Sequence, residues 1–194
     1  FVGNANGSFS KKTKEFLIFL KLNLKRLLDK SIGDYQFFFS SSSVRYSVLK
    51  SLEKSKAIVC NFIYRNSYRG GAQTETEIKQ STKEFFQNIE RNLYTICIRG
   101  AGNFSVRLYE TLIMGRIPIV IHSDAKLPLE NEIIWKNHAV LAHKNNVIDS
   151  VLTFHNSLSN EELIAIQKSN RDLMLTQFLR VNYFHKIHQL ENEL

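Results

Sequence analysis

An α/β fold, with a parallel sheet and helices on both of its faces, is what this sequence predicts, and three observations predict it. Short runs rich in apolar and β-branched residues recur along the chain: "AIVCNFIY" (57–64), "LYTICI" (93–98), "IPIVI" (117–121) and "AVLA" (139–142). Longer stretches with helically spaced apolar residues separate most of them. Strand and helix therefore alternate, which gives parallel strands the crossover connections they require. With 194 residues, 43% of them hydrophobic, a single core of useful size is expected.

Each element follows from local pattern. "FVG" (1–3) is a short apolar run leading into a polar loop from Asn4 to Ser10. From Lys11 to Lys30 the spacing is helical. Leu17, Leu20, Leu24, Leu27 and Leu28 share one face, while Lys14, Lys21 and Lys25 share another. Such a helix is expected to pack its leucines into the core and solvate its lysines; the alternative is a helix lying on an anionic membrane surface. Gly33 reads as a stop signal, and "YQFFFSSSS" (35–43) as a short strand or an irregular link. A second helix over 44–55 follows a row of serine N-caps. Residues 57–64 read as a buried strand, apolar on both faces, and 65–77 as a polar loop with paired glycines. A helix over 79–92 turns Phe85, Phe86 and Ile89 inward. Strand 93–98, turn "RGAGN", helix 104–114 closed by Gly115, and strand 117–121 come next. Pro118 is tolerable near a strand start. A loop with Pro128 leads through "IIW" to strand 139–142, and helices run from Asn146 to His155 and from Ser159 to about Leu190. The sum is a single Rossmann-like domain, whose ligands bind at the carboxyl ends of the strands.

Composition excludes some classes. No apolar run approaches the roughly 18–20 residues of a membrane span, and "FLIFL" (16–20) is flanked by lysines. Cys60 and Cys97 lie in apolar segments and read as core residues rather than a disulfide or metal site. His185 and His188 share an i,i+3 spacing without supporting ligands, so no metal site is expected. The net charge of +8, with a pI near 9.5, suits a polyanion, an anionic surface or a phosphate-bearing small molecule alike. "YRNSYRGG" mixes arginines with aromatics, but no recognised nucleic-acid module accompanies it, and nucleic acid is not expected as a partner.

The stretch from Arg99 to Ile121, "RGAGNFSVRLYETLIMGRIPIVI", concentrates the chemistry. It places a glycine-containing turn between a strand's carboxyl end and a helix N-terminus, where free N–H groups and the helix dipole favour anions. Gly100 and Gly102 leave room for phosphates beside the backbone. Arg99 and Arg107 supply charge suited to bidentate contact. Asn103 and Ser105 are caps or further phosphate donors. Glu110, three residues beyond Arg107, can accept hydrogen bonds from two ribose hydroxyls. The plainer reading is an i,i+3 ion pair between Arg107 and Glu110. Neither G-x-G-x-x-G nor G-x-x-x-x-G-K-[ST] is present. His122 ends the next strand and Asp124 follows it, both candidates for sugar contacts, with a surface or capping histidine the plainer reading of His122.

"YTICIRGAGNFSVRLYETLIMGRIPIVI", followed by "LPLENEIIW", resembles the signature of exostosin-type glycosyltransferases. "FVGNANGS", "VRYSVLKSLEKS" and "NFIYRNSYRGG" resemble earlier segments of the family's bacterial members, so the likeness covers most of 1–143. It implies the donor-binding half of a GT-B enzyme, with Arg99, Gly100, Gly102, Asn103, Ser105 and Arg107 at the diphosphate or sugar, Glu110 at the ribose, and Arg65 as a further phosphate contact. It implies inverting transfer from a nucleotide-sugar, a UDP-sugar in the first instance, to a glycan or lipid-linked acceptor in surface polysaccharide synthesis. The general base is expected in an N-terminal domain ahead of Phe1, onto which the C-terminal helices from about 146 cross back; no catalytic base is assigned here, and this stretch alone is expected to bind without transferring. Without an Asp-x-Asp pair, no metal or other cofactor is expected. A bacterial affinity implies a cytoplasmic, membrane-peripheral location, a eukaryotic one the Golgi lumen. The alternative is a non-catalytic nucleotide-binding or scaffold domain of the same fold, and behind it a basic nucleic-acid-binding module.

Overall fold

A computed structural model describes the chain apart from residues 30–32, 34, 101, 103, 124, 193 and 194, and of Tyr68, Leu190, Glu191 and Asn192 it describes the backbone alone. Five short strands, β1 (Val2–Gly3), β2 (Ile63–Tyr64), β3 (Tyr94–Cys97), β4 (Ile117–Ile121) and β5 (Val140–Ala142), are all paired in parallel. β1 pairs with β2, placing Val2 opposite Ile63. β3, β4 and β5 lie in that order, with Ile96 opposite Ile119 and Ile119 opposite Val140. Seven helices accompany them: α1 (Phe9–Leu28), α2 (Ser41–Lys54), α3 (Glu75–Glu90), α4 (Val106–Ile113), α5 (Val147–Asn156), α6 (Asn160–Gln177) and α7 (Arg180–Asn192).

Alternation along the strands assigns the two faces. Ile96 of β3 and Ile117, Ile119 and Ile121 of β4 pack with Val48, Leu49 and Leu52 of α2 and with Val147 and Val151 of α5. Phe1 joins the same cluster, so the two groups of strands share one core. Cys97, the next residue of β3, turns the other way, onto Leu108 and Leu112 of α4, Trp135 and Phe178. Helices thus cover both faces, as expected of a Rossmann-like α/β domain.

The corner between α4 and β4 is closed by backbone chemistry. Gly115 sits at φ +60°; its N–H bonds Leu112 O at 2.9 Å, while Arg116 N–H bonds Thr111 O at 3.0 Å. This pair of bonds is the Schellman termination, which needs a left-handed residue. α3 and α6 start with capping boxes, Thr74 with Glu77 and Ser159 with Glu162.

Two expectations need correction. Residues 57–64 are not a strand buried on both faces: only Ile63 and Tyr64 pair, Val59 is fully exposed, and β2 is an edge strand with β1 as its partner. The leucines of α1 do not enter the core. That helix is fastened through polar groups instead: Glu15 accepts from Ser40 Oγ (2.7 Å), Ser42 N (3.3 Å) and Ser42 Oγ, and Asn23 holds both backbone groups of Gln36 (2.8 and 3.1 Å). Residues 35–40 are accordingly an irregular link, with Phe38 against Phe16 and Phe19. In the C-terminal part, α6 packs on α4 and β4. The fully buried Asn170 donates to Arg116 O (3.0 Å) and His138 O (2.9 Å), and Arg171 donates to Ile113 O (2.7 Å).

Candidate functional site

The carboxyl ends of β3, β4 and β5 open onto a cavity of about 250 Å³. Arg99 and Ser105 line it from the β3–α4 turn, His122 and Lys126 from the segment after β4, and His143 from the end of β5. Phe104, Tyr109, Leu127 and Leu141 supply apolar wall. The β4–β5 connection, with only the short helical turn Trp135–Asn137, is anchored by the indole N–H of Trp135, which donates to Pro128 O at 3.0 Å. Parallel strands gather their following loops at one end, which is why residues this far apart in sequence share a cavity.

Arg99 is 5% exposed, stacks its guanidinium over the Phe39 ring at 4.3 Å and approaches Gly102 O at 3.4 Å. Neither Gly100 nor Gly102 has a left-handed φ. A Cβ would meet nothing closer than 3.9 Å at Gly100 and 3.4 Å at Gly102. The fold itself therefore does not demand glycine at either place. Ser105 occupies the N-cap position of α4 without its side chain capping the helix. Asn103 and Asp124 lie outside the described residues.

Arg107 and Glu110 do not form the plain i,i+3 pair. Arg107 reaches across to β1, donating from Nη2 to Val2 O at 2.6 Å and stacking on Phe1 (4.4 Å) and Phe85 (5.5 Å). Glu110 is half-buried, and its carboxylate takes neither hydrogen bond nor ion pair among the described residues. Burial pushes the Glu110 carboxyl up, partly offset by the charge of Arg107. Burial likewise pushes the Arg107 guanidinium down, with Cys97 and Glu110 opposing and Arg65 adding to the effect. Neither residue lines the cavity. Arg65 is committed elsewhere, to Glu84 Oε2 (2.5 Å) and Ser81 O (2.9 Å) on α3.

Two residues escaped the sequence reading. Arg45, on the first turns of α2, donates to Arg99 O at 3.4 Å. Its guanidinium is pushed down to about 10, first by burial and then by the charge of Arg107, with Glu15 opposing; it remains a cation at neutral pH. No local signal in "SSSVRYSVLKSLEK" marks it. His143 packs against His122 with ring centroids 4.6 Å apart and planes tilted by 58°; its place at a strand's carboxyl end, like that of His122, was the signal available.

Arg45, Arg99 and Arg107 thus gather where β1, β3 and α2 meet. Arg45 and Arg107 each keep a buried Nε without an acceptor among the described residues. Leaving such a donor unpaired costs on the order of 1–3 kcal/mol, and the arrangement suits an anion with several oxygens. Among the described residues no group of three or more His, Cys, Asp or Glu is placed to hold a metal ion.

Comparison with known proteins fits this geometry. Residues 25–158 match the Exostosin GT47 domain. The chain is similar to the probable glucuronosyltransferase GUT1 of Oryza sativa subsp. japonica, 31% identical over 71 residues, which is 36% of this chain and 17% of that protein. It is similar, at 31% over 71 residues, to the probable beta-1,4-xylosyltransferase IRX10L of Arabidopsis thaliana (36% and 17%). It is also similar to the probable glucuronosyltransferase 47 A of Physcomitrium patens, 28% identical over 86 residues (43% and 18%). The matched segments span less than a quarter of these relatives. The relatives are plant proteins, and they give no support to the expected bacterial affinity or to the cytoplasmic location that went with it. No helix among the described residues is long and apolar enough to cross a membrane. The family match covers more than half of the chain, and with the parallel sheet and its strand–turn–helix corner in place, this chain belongs to the exostosin GT47 family.

Proposed function

We propose that residues 1–194 form the donor-binding domain of an inverting GT-B glycosyltransferase, which transfers a sugar from a nucleotide-sugar to a glycan or lipid-linked acceptor in polysaccharide synthesis. The observation that carries this reading is the gathering of Arg45, Arg99 and Arg107 at the strand ends, two of them with unsatisfied buried donors. The donor's diphosphate meets these guanidinium groups and the turn from Arg99 to Ser105, where α4 contributes its N-terminal dipole. The two glycines let the phosphates approach the backbone, and Asn103, next in sequence to Gly102, is assigned to the diphosphate or sugar. Glu110 accepts from the ribose hydroxyls, and the apolar-walled cavity takes the flat base, a uracil in the first instance. His122 and Asp124 are assigned to the sugar, and Arg65 to an outer phosphate contact that it makes on leaving Glu84 and Ser81.

Transfer then proceeds by attack of an acceptor hydroxyl on the anomeric carbon while a base removes its proton. In this reading the base and the acceptor site come from another domain, and the arginines stabilise the charge that develops on the departing nucleoside diphosphate without a metal. The plant relatives favour a Golgi-lumenal setting. A thermal-shift panel of UDP-, GDP- and CMP-sugars in the presence of a chelator tests the proposal. One base type should raise the melting temperature by about 5–10 °C at a hundredfold excess over Kd. No shift with any of them would overturn it.

A further inference from the structure

The most unusual surface of the molecule is α1. Polar residues join Phe19 and Leu22 on its inner side: Asn23 is 4% exposed, and Glu15 is spent on the N-terminus of α2. Its leucines face solvent, with Leu17, Leu20, Leu24, Leu27 and Leu28 between 46% and 81% exposed, and Phe9 beside them. At 3.6 residues per turn these leucines fill an arc of roughly 100°. Lys14, Lys21 and Lys25, all exposed, occupy the next arc of about 40°.

Charge decides what covers this face. Lys14, Lys21 and Lys25 carry the outward charge of α1, with Lys11 and Lys12 near its start; Arg26 turns inward and donates to Asn23 Oδ1, and the single acid of the helix, Glu15, is already engaged with α2, so the outward charge is cationic. A protein partner that simply completed a core would meet a row of lysines, the residue type that protein interfaces tend to exclude. A second copy placed face to face would bring two such rows together. A bilayer with anionic headgroups takes both halves of the pattern: leucines enter the acyl boundary while lysines reach the phosphates. The exposed apolar area is also contiguous along a 20-residue helix, which is more than scattered surface leucines provide.

The geometry points to α1 as a docking helix that lays this domain on an anionic lipid surface. It lies in the plane of that surface and does not cross it. Glu15 and Asn23 fix the helix to the body with its leucines outward, so the docked domain has a defined orientation.

Vesicle co-sedimentation of the full 194-residue chain tests this. Vesicles of phosphatidylcholine with about 30% phosphatidylserine should bind the chain at least about tenfold more tightly than phosphatidylcholine alone, and about 0.5 M salt should weaken that binding. Leu20→Glu with Leu24→Glu should abolish binding, and reversal of Lys14, Lys21 and Lys25 to Glu should abolish the preference for anionic lipid. All five side chains are exposed, so both variants should keep the parent's circular dichroism spectrum and melting temperature. Equal binding to neutral and anionic vesicles would overturn the inference, as would binding unchanged in both variants. So would a chain that ignores vesicles but sediments as a dimer dissociated by Leu20→Glu with Leu24→Glu, which assigns the face to a second copy.

Discussion

Arg45 and Arg107 are half-buried cations in each other's field, each with a buried Nε, and both carry a desolvation cost. Arg107 offsets part of it by holding Val2 O and stacking on Phe1; among the described residues Arg45 makes a single long bond, to Arg99 O. Replacing Arg45 with Met should therefore leave the melting temperature unchanged or raised, while weakening nucleotide-diphosphate binding by about tenfold or more, the loss expected for a charge-assisted hydrogen bond. Glu110→Gln separates function from stability in the same way. A carboxyl whose folded pKa lies above its unfolded value of 4.5 withdraws stability as pH rises through that value. The parent should lose ground to the Gln variant as pH rises above about 4.5 in paired thermal melts. Calorimetric titration should show the variant binding a nucleoside diphosphate roughly tenfold more weakly. Arg99, Arg107 and Glu110 could be read from one continuous motif because local spacing placed them. Arg45 lies 54 residues before Arg99, in a helix whose pattern has no other oddity; only the parallel packing of α2 against the strands brings it in.

The β3–α4–β4 unit was the most legible part of the fold, since its strand, glycine turn, helix and glycine stop are contiguous. Its glycines nonetheless differ in kind. At Gly115 the backbone is left-handed and a Cβ would sit 3.2 Å from Gln167 O on α6. Gly115→Ala should cost about 1–2 kcal/mol for the conformation alone, and more for the contact. Gly100→Ala meets nothing closer than 3.9 Å and should unfold at the parent's urea midpoint, yet bind the donor more weakly because a methyl group stands where phosphate approaches. If Gly100→Ala destabilised as much as Gly115→Ala, the glycine at 100 would be serving the fold. Less was legible at α1 and β2. Periodicity shows that α1 has an apolar face but not which face meets the body, and Glu15 and Asn23 settle that through tertiary hydrogen bonds. A continuous apolar run such as 57–64 does not distinguish a central strand from an edge, because both bury alternate residues and differ only in what lies beyond.

Taken together, these elements form two parallel sheets, of two and three strands, on a shared core, with arginines gathered where β1, β3 and α2 meet and an apolar-walled cavity at the carboxyl ends of β3, β4 and β5. α6 locks the α4–β4 corner to the body through Asn170 and Arg171, so the C-terminal helices steady the site from behind. The outward leucines of α1 lie on a separate surface and are answerable by lipid binding alone. The central claim is that this edge binds the diphosphate of a nucleotide-sugar through arginines, without a metal. Calorimetric titration of the 194-residue chain with UDP in excess chelator, repeated with uridine and with Arg45→Met, tests it most directly. The account predicts saturable binding of UDP, at least about tenfold weaker binding of uridine and a similar loss in the variant. UDP binding that appears only when a divalent metal is added, or that survives unchanged in Arg45→Met, would contradict it.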